Sequence, residues 1–316
     1  MKALVIGGNG FIGTHLVSAL QREGMDVRVF DRYPSKFVEP SKTVEYVIGD
    51  LGNHGALSEI VNDVDWVFHL AYTTLPKTSN DDPVYDVRSN LIDTIQLLQE
   101  CSKAGVNKIV FISSGGTVYG VPKSVPIKET HPTDPYCSYG ITKLAIEKYL
   151  HVFYHLNGLD YVVLRVSNPY GEGQNPHGKQ GAIGVFLGRV AKGEAINIWG
   201  SGEVVRDYVY IEDVVTALLA AARYRAKDEQ PRVFNIGSGK GISLNELIAE
   251  IRQTVEVEVR VENTPARALD VPVNILDIEL AKERLDWQPS VELRDGLIRT
   301  WSWVKTLDPV KQITLI

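Results

Sequence analysis

Cysteine and long apolar runs are scarce in this chain of 316 residues, and each shortage excludes a class of protein. Two cysteines, Cys101 and Cys137, form neither a disulfide framework nor an ordinary structural zinc site, which favours a reducing compartment. No apolar run approaches the roughly 20 residues that span a bilayer. The first residues also lack the apolar core of a signal peptide. We therefore expect a protein without a membrane span and with a cytoplasmic location.

An excess of positive charge is missing too. The chain has 33 basic and 39 acidic residues, a formal net charge of −6. This balance offers no general attraction for a phosphate chain, so we expect no nucleic-acid partner. Its hydrophobic content of 44% excludes disorder as the main state. The histidines show no spacing typical of a metal site, and we expect no metal.

The first thirty residues read as strand, glycine turn, helix and strand. Residues 3–6 are a short apolar run that predicts a buried parallel strand, and residues 15–20 have helical apolar spacing. Glycines at three-residue intervals permit a tight turn, close approach of a diphosphate, and close packing of helix on strand. The diphosphate would lie at the helix N-terminus, where free amides favour anions. The predicted cofactor contacts along this turn are Gly7, Gly10, Phe11, Ile12 and Gly13.

An acidic residue ends the second strand of this unit. Asp31 can accept hydrogen bonds from both hydroxyls of an adenosine ribose and would repel a 2′-phosphate. The sequence therefore predicts NAD as the cofactor in preference to NADP. Arg32 beside it is also a predicted cofactor contact, and it weakens that discrimination.

Three further strand–helix units follow, with strands near residues 44–48, 66–71 and 108–112. Alternating strands and helices predict an α/β fold built on a doubly wound parallel sheet of Rossmann type, with ligands at the carboxyl ends of the strands. Further predicted cofactor contacts follow these strands or lie in the helical segment 90–104; they are Asp50, Leu51, Leu70, Ala71, Tyr72 and Asn90.

The chemistry is predicted at Tyr139 and Lys143, which are four residues apart and so share one helix face. An ammonium close to the tyrosine, together with the positive nicotinamide of NAD⁺, would stabilise the phenolate and lower the tyrosine pKa. Tyr139 would then act as a general base, and Tyr139 and Lys143 are both predicted to contact the cofactor as well. A hydroxyl at the end of the adjacent strand, residues 113–117, would assist it.

Taken together, these motifs resemble the extended short-chain dehydrogenase/reductase family, and within it the NAD-dependent nucleotide-sugar epimerases. The resemblance covers nearly the whole chain. It extends through residues 164–171, 198–202, 206–210 and 285–289. It implies an NAD-binding domain over residues 1–167, to which the chain returns at about 206–237. Residues 168–205 and 238–316 would form a smaller, interleaved nucleotide-sugar-binding domain.

One position departs from the family pattern. UDP-galactose 4-epimerases usually carry a serine or threonine five residues before the glycine of the Tyr-Gly pair, and counting back from Gly120 gives Gly115. Counting along the strand gives Ser114 instead, with one glycine inserted after it. Strand register is harder to shift than a glycine loop, so Ser114 is the predicted hydroxyl and Thr117 the alternate.

The resemblance also implies how a nucleotide sugar would be held. Asn168 and Arg206 would meet the diphosphate, and Arg267 with Asp270 the phosphate and ribose; an arginine fork suits phosphate oxygens. Trp199 would flank the base, and Thr74 is a further substrate contact. In the family, the residue seven positions after the arginine that matches Arg267 borders the hexose. Here it is Asn274, which predicts room for a 2-acetamido group.

The activity that the resemblance implies is inversion at C4 of a UDP-hexose or UDP-N-acetylhexosamine through a 4-keto stage, for polysaccharide biosynthesis, by a homodimer. A 4,6-dehydratase would need carboxylates after the strand-end hydroxyl, where residues 115–117 have none. Two alternatives stay open. One is an NAD(P)H-dependent nucleotide-keto-sugar reductase, and the other a non-enzymatic NAD-binding protein of the same fold.

Overall fold

A seven-stranded parallel sheet is the centre of the computed structural model, which describes residues 1–178, 180–227, 229–265 and 271–307. In chain order the strands are β1 (Lys2–Ile6), β2 (Asp26–Asp31), β3 (Glu45–Ile48), β4 (Trp66–His69), β5 (Lys108–Ser114), β6 (Asp160–Val166), β7 (Asn168–Tyr170), β8 (Ile196–Trp199), β9 (Val205–Tyr210), β10 (Val233–Ile236), β11 (Gly241–Ser243), β12 (Val261–Thr264) and β13 (Val273–Asn274). The large sheet has the order β10–β6–β5–β4–β1–β2–β3. Its register brings Ile6 level with both Phe30 and His69, so the strands end together.

Helices cover both faces of this sheet. In chain order they are α1 (Phe11–Arg22), α2 (His54–Ile60), α3 (Pro83–Asp86), a π-helical turn (Val87–Ile92), α4 (Asp93–Ala104), α5 (Ser138–Asn157), α6 (Ala182–Ala191), α7 (Ile211–Arg223), α8 (Leu244–Thr254), α9 (Glu279–Leu285) and α10 (Leu293–Thr306). Helices α1 and α7 pack on one face, and α2, α4 and α5 on the other. Ala3, Leu4 and Val5 are therefore fully buried. This confirms the predicted doubly wound α/β fold.

The strand order places a crevice beside β1. The chain goes from β1 to β2 on one side, whereas β4, its neighbour on the other side, comes later in the chain. Connections from the two sides diverge at such a point, so the loops after β1 and β4 leave a gap at the carboxyl edge of the sheet.

The second half of the chain supplies smaller sheets beside that edge. Strand β9 pairs with β7, β11 and β13, and β8 pairs with β12. Helices α6, α8 and α10 enclose a separate apolar core with them. Strand β9 belongs to this smaller sheet, whereas β10 belongs to the large one. The domain limits given above stay a prediction.

Two predicted elements differ in their limits. The helical segment expected to begin at residue 90 continues from α3 through a π-helical turn into α4. Strand β5 includes Ser113 and Ser114, which were expected just beyond its end. Among the described residues, none of the helices has the length and apolar composition needed to cross a bilayer.

Candidate active site

The turn after β1 has no room for side chains at two of its glycines. Gly7 has φ +83°, and a Cβ there would lie 2.7 Å from the backbone nitrogen of Ala71. A Cβ on Gly13 would lie 2.3 Å from the carbonyl oxygen of Gly7. Gly10 directly precedes the first residue of α1. Helix α1 therefore begins close against the strand ends, with its free N-terminal amides beside the crevice.

A cavity of about 240 Å³ occupies this crevice at the ends of β1, β2 and β4. It contains ten of the residues predicted to bind the cofactor: Gly7, Gly10, Asp31, Arg32, Asp50, Leu51, Leu70, Ala71, Tyr72 and Asn90. Phe11, Ile12 and Gly13 are not among its lining residues. The cavity also has walls that were not among the predicted cofactor contacts, namely Ile6, Phe30, Gly49, His69, Thr73, Ser89 and Thr94. A glycine cradle, a strand-end carboxylate and apolar walls fit an adenine dinucleotide.

Backbone amides hold the carboxylate at the end of β2. The amide of Asn9 donates to Asp31 Oδ2 at 3.0 Å, and that of Arg32 donates to Oδ1 at 2.7 Å. The Arg32 side chain turns towards Asp50, with Nη1 3.8 Å from Oδ2. The positive charge beside Asp31 is therefore partly offset across the cavity by another carboxylate.

Tyr139 and Lys143 lie in the first two turns of α5 and face the cavity wall formed by Tyr72. The centres of the Tyr72 and Tyr139 rings are 4.6 Å apart. The Lys143 ammonium lies 4.1 Å from the centre of the Tyr72 ring and 5.7 Å from that of Tyr139. Its Nζ donates to the carbonyl oxygen of Ile112 at 2.7 Å. The predicted base and ammonium are thus brought together at the edge of the cofactor cavity.

Burial controls the electrostatics of this pair. It lowers the pKa of Lys143 to about 7, although the charges of Glu147 and Asp86 act in the opposite direction. Burial also raises the pKa of Tyr139 above its ordinary value, and Cys137 and Asp86 add to the rise, whereas a hydrogen bond with Ser114 opposes it. In the protein by itself desolvation therefore raises the pKa of Tyr139, and the lowering expected from Lys143 together with bound NAD⁺ stays a prediction.

The strand-end hydroxyls differ in their surroundings. Ser114 forms the hydrogen bond with Tyr139 that favours its ionisation. A Cβ on Gly115 would lie 2.5 Å from Cδ1 of Leu276, so a side chain at that position would require Leu276 to shift. The hydroxyl of Thr117 is buried and has no hydrogen-bond partner among the described residues. Of the two hydroxyls, that of Ser114 thus favours ionisation of the base, while the catalytic roles of both stay a prediction.

A buried ion pair supports this strand end, and sequence reasoning missed it. Glu147 accepts from Nη2 and Nε of Arg165 at 2.6 and 3.1 Å, and from the hydroxyl of Ser113 at 2.5 Å. Glu147 is four residues after Lys143, so the spacing 139, 143 and 147 was visible on one helix face. A second missed carboxylate, Asp86, contacts the same helix and precedes the predicted Asn90 by one helical turn.

Three of the predicted substrate contacts already form hydrogen bonds within the protein. Thr74 is buried, and its hydroxyl donates to Asp86. Asn168 donates to the carbonyl oxygen of Asp207 at 2.9 Å. Arg206 donates to the carbonyl oxygens of Val205 and Val271.

The remaining substrate candidates lie at other places in the second half of the chain. Trp199 ends β8 and is 40% exposed. Asn274 is buried against Gly115, to whose carbonyl oxygen it donates at 3.1 Å. Arg267 and Asp270 lie outside the described residues. The described residues also contain no cluster of three or more His, Cys, Asp or Glu side chains placed to hold a metal ion.

Comparison with known proteins agrees with this geometry. The model of the NAD dependent epimerase/dehydratase family matches residues 3–237. A UDP-glucose 4-epimerase of Mycolicibacterium smegmatis is 36% identical over 309 residues, which is 95% of this chain and 97% of that protein. The crystal structure of UDP-glucose 4-epimerase from Thermotoga maritima with UDP-glucose has a TM-score of 0.91 at 37% identity, covering 96% of this chain and 98% of that one.

A second similar structure carries a different sugar. It is the UDP-N-acetylglucosamine 4-epimerase of Methanobrevibacter ruminantium in complex with UDP-N-acetylmuramic acid. The TM-score is 0.89 at 29% identity, over 96% of this chain and 97% of that one.

Proposed function

This chain belongs to the NAD dependent epimerase/dehydratase family, and from that premise we propose that it is a nucleotide-sugar 4-epimerase. The observation that carries the proposal is the contact of Tyr72 with both members of the acid–base pair. Tyr72 lines the dinucleotide cavity, and its ring lies 4.6 Å from that of Tyr139 and 4.1 Å from the Lys143 ammonium. A proton acceptor and a hydride acceptor would therefore meet at one place, as sugar oxidation at a hydroxyl-bearing carbon requires.

The chain's own residues supply the proton transfer. Tyr139 takes the proton from the O4 hydroxyl of the sugar and later returns it, while the hydroxyl of Ser114 donates to the same oxygen. Lys143 adds positive charge beside the phenol and so favours its ionisation. Bound NAD⁺ supplies a reversible hydride acceptor for C4, and the sugar passes through a 4-keto stage. Return of hydride to the other face of the sugar completes the inversion and leaves no net oxidation.

We propose a UDP-hexose or a UDP-N-acetylhexosamine as the substrate. The T. maritima structure holds UDP-glucose, and the M. ruminantium protein is a UDP-N-acetylglucosamine 4-epimerase. Asn274 lies next to the strand end that carries Ser114 and is smaller than a tyrosine, which supports a sugar pocket that would admit a 2-acetamido group. The UDP part would be held by Asn168, Trp199, Arg206, Arg267 and Asp270, with Thr74 on the sugar side.

A homodimer is the proposed assembly. Apolar side chains are exposed along the outer faces of α5 and of the helical segment 83–104, including Leu156 at 77% and Val84 at 68%. Others on the same helices are Tyr85, Val87, Ile92, Ile141, Tyr149 and Val152. In a two-fold symmetric dimer the same surface of both subunits meets. Two copies of this surface would then bury their apolar side chains in a contact of four helices. Size-exclusion chromatography with light scattering tests this, and a monomer at micromolar concentration would contradict it.

One experiment separates the epimerase from its alternatives. Protein is denatured, the released cofactor is identified by mass spectrometry, and native protein is incubated with UDP-glucose, UDP-galactose and their N-acetylated counterparts. We expect released NAD and interconversion of the C4 epimers without added reductant. Consumption of NADPH with a keto-sugar would favour the reductase. Bound NAD with no product from any sugar would favour a non-enzymatic protein.

A further inference from the structure

A completely buried carboxylate lies beside the proposed acid–base pair and takes no part in the chemistry described so far. Asp86 is 0% exposed, and its two oxygens accept four side-chain hydrogen bonds. Oδ1 accepts from Thr74 Oγ1 and from Asn90 Nδ2, the latter at 3.0 Å. Oδ2 accepts from Ser138 Oγ at 2.7 Å and from Thr142 Oγ1 at 2.8 Å. Four donors compensate much of the cost of burying the charge.

Two of these donors belong to the first turns of α5. Ser138 and Thr142 stand one residue before Tyr139 and one before Lys143. Their hydrogen bonds to one carboxylate therefore fix the rotation of the helix that carries both groups, as well as its distance from the segment 83–92. A rigid mount of this kind is what placement of a general base requires.

The other two donors connect Asp86 with the cofactor cavity and with the predicted sugar side. Asn90 lines the cavity, and its Oδ1 accepts from the backbone amide of Thr73 at 2.9 Å. Because Nδ2 of Asn90 is directed at Asp86, the orientation of this amide is settled by the same carboxylate. Asp86 thus joins the loop after β4, the cavity wall and α5.

The charge of Asp86 has no ion-pair partner among the described residues. The other carboxylate near Lys143, that of Glu147, is neutralised by Arg165. Asp86 raises the pKa of Lys143 and also that of Tyr139. The further titratable groups that face this cluster are Tyr72, Cys137 and, through Lys143, His69, which burial keeps neutral near pH 7.

We propose that Asp86 is a positioning residue for the epimerase reaction, in which its buried charge favours the ammonium form of Lys143 while its hydrogen bonds orient α5 and Asn90. This rests on the proposed function. The same charge adds to desolvation and to Cys137 in opposing ionisation of Tyr139. Loss of the charge would therefore shift the titration of both groups to lower pH, which a purely structural role would not do.

The test is the pH profile of kcat for Asp86→Asn, which keeps the shape of the side chain but removes its charge. We expect kcat to fall on the order of a hundredfold, since the base is no longer held in place. We expect both limbs of the profile, which report on Tyr139 and Lys143, to move down by about one pH unit, because removal of the charge lowers the pKa of each group. Limbs that stay at their wild-type positions would overturn the proposal.

Thr142→Val is the matched control, because it removes one hydrogen bond and leaves the carboxylate charged. We expect a lower kcat, a nearly unchanged KM and wild-type limbs. If Thr142→Val shifts the limbs as Asp86→Asn does, charge is not the cause and the proposal fails. If Asp86→Asn does not fold, the positioning role is tested with Thr142→Val and Ser138→Ala, each of which removes one hydrogen bond to Asp86. A wild-type kcat in both variants would overturn that role.

A second measurement does not depend on epimerase activity. The tyrosinate absorbance that Tyr139→Phe removes is recorded against pH in two holoenzymes, the wild type and the Asp86→Asn variant. We expect it to develop about one pH unit lower in the variant. An unchanged midpoint would contradict the proposal, whereas a shifted midpoint in a protein without epimerase activity would show that only the proposed function had failed.

Discussion

Asn274 donates a hydrogen bond of 3.1 Å to the carbonyl oxygen of Gly115. Asn274 belongs to β13, in the smaller sheet, and Gly115 follows the last residue of β5, in the large sheet. The bond therefore joins the two halves of the chain at the strand end that carries Ser114. At 1% exposure, Asn274 has almost no free surface, so any larger side chain at this position must displace its neighbours or enter the adjoining site.

The first prediction concerns sugar size. We expect Asn274→Tyr to lower kcat/KM for N-acetylated UDP-hexoses relative to plain UDP-hexoses by roughly tenfold or more, because added bulk penalises the larger ligand. The measurement is the ratio of the two kcat/KM values in wild type and variant. Asn274→Leu is the control: it removes the bond to Gly115 with little added volume, and it should slow all sugars without changing the ratio. If Asn274→Tyr leaves this ratio unchanged, Asn274 does not border the sugar pocket.

The second prediction concerns the base. Tyr139→Phe should lower kcat by roughly 10²- to 10⁴-fold, since it removes only the oxygen that moves the proton. The amount of bound NAD and the melting temperature of the variant should stay close to those of wild type. Tyr136→Phe, three residues earlier and largely exposed, is the matched control and should leave kcat unchanged. Retention of most activity in Tyr139→Phe would refute the assignment.

The third prediction separates the two strand-end hydroxyls. Ser114→Ala should lower kcat roughly 10²-fold, because the Ser114 hydroxyl favours ionisation of Tyr139 and would assist proton transfer. Thr117→Ala should have a smaller effect, since the Thr117 hydroxyl has no partner in the described structure. Both are measured as kcat with a saturating UDP-sugar. A silent Ser114→Ala together with a severe Thr117→Ala would show that the register assigned to this strand is wrong.

The fourth prediction concerns cofactor choice. Titration of cofactor-free protein should show much tighter binding of NAD than of NADP, because a 2′-phosphate would meet the Asp31 carboxylate. Asp31→Asn should reduce the difference in affinity between NAD and NADP. Arg32→Ala should increase that difference, because it removes the cation beside the 2′-phosphate. Equal affinity of the wild type for both dinucleotides would contradict the prediction and would indicate that Arg32 leaves Asp50 to pair with the phosphate.

The fifth prediction concerns pH and stability. Burial lowers the pKa of Lys143 from its ordinary 10.5 to about 7, so between these values the unfolded chain binds the proton that the folded chain has lost. Stability contributed by this site must therefore rise with pH in that window, by at most about 1.4 kcal/mol per pH unit. We expect the free energy of unfolding of wild type, measured against that of Lys143→Met in urea, to increase from about pH 7 to about pH 9.5, within the window that the lowered pKa opens. A difference that does not change with pH would mean that Lys143 stays charged when buried.

Local patterns in the sequence were enough to predict the fold and the family. The glycines at 7, 10 and 13 act within one turn, and the spacing of Tyr139 and Lys143 acts within one helix, so each can be recognised without knowledge of the rest of the chain. The alternation of strands and helices predicted the doubly wound sheet, which the structure confirmed. These features depend on neighbours in sequence, and propensity and spacing describe them adequately.

Contacts between distant segments could not be predicted in this way. Asp86 is 52 and 56 residues from the two α5 hydroxyls that it accepts from, and Asn274 is 159 residues from Gly115. A Cβ at Gly115 would press against Leu276, and the raised pKa of Tyr139 follows mainly from its desolvation. The sequence by itself determined which chemical groups the protein contains and how they are spaced along each element. The tertiary structure decided which of them are desolvated and which share a carboxylate, because burial and hydrogen bonding are properties of packing.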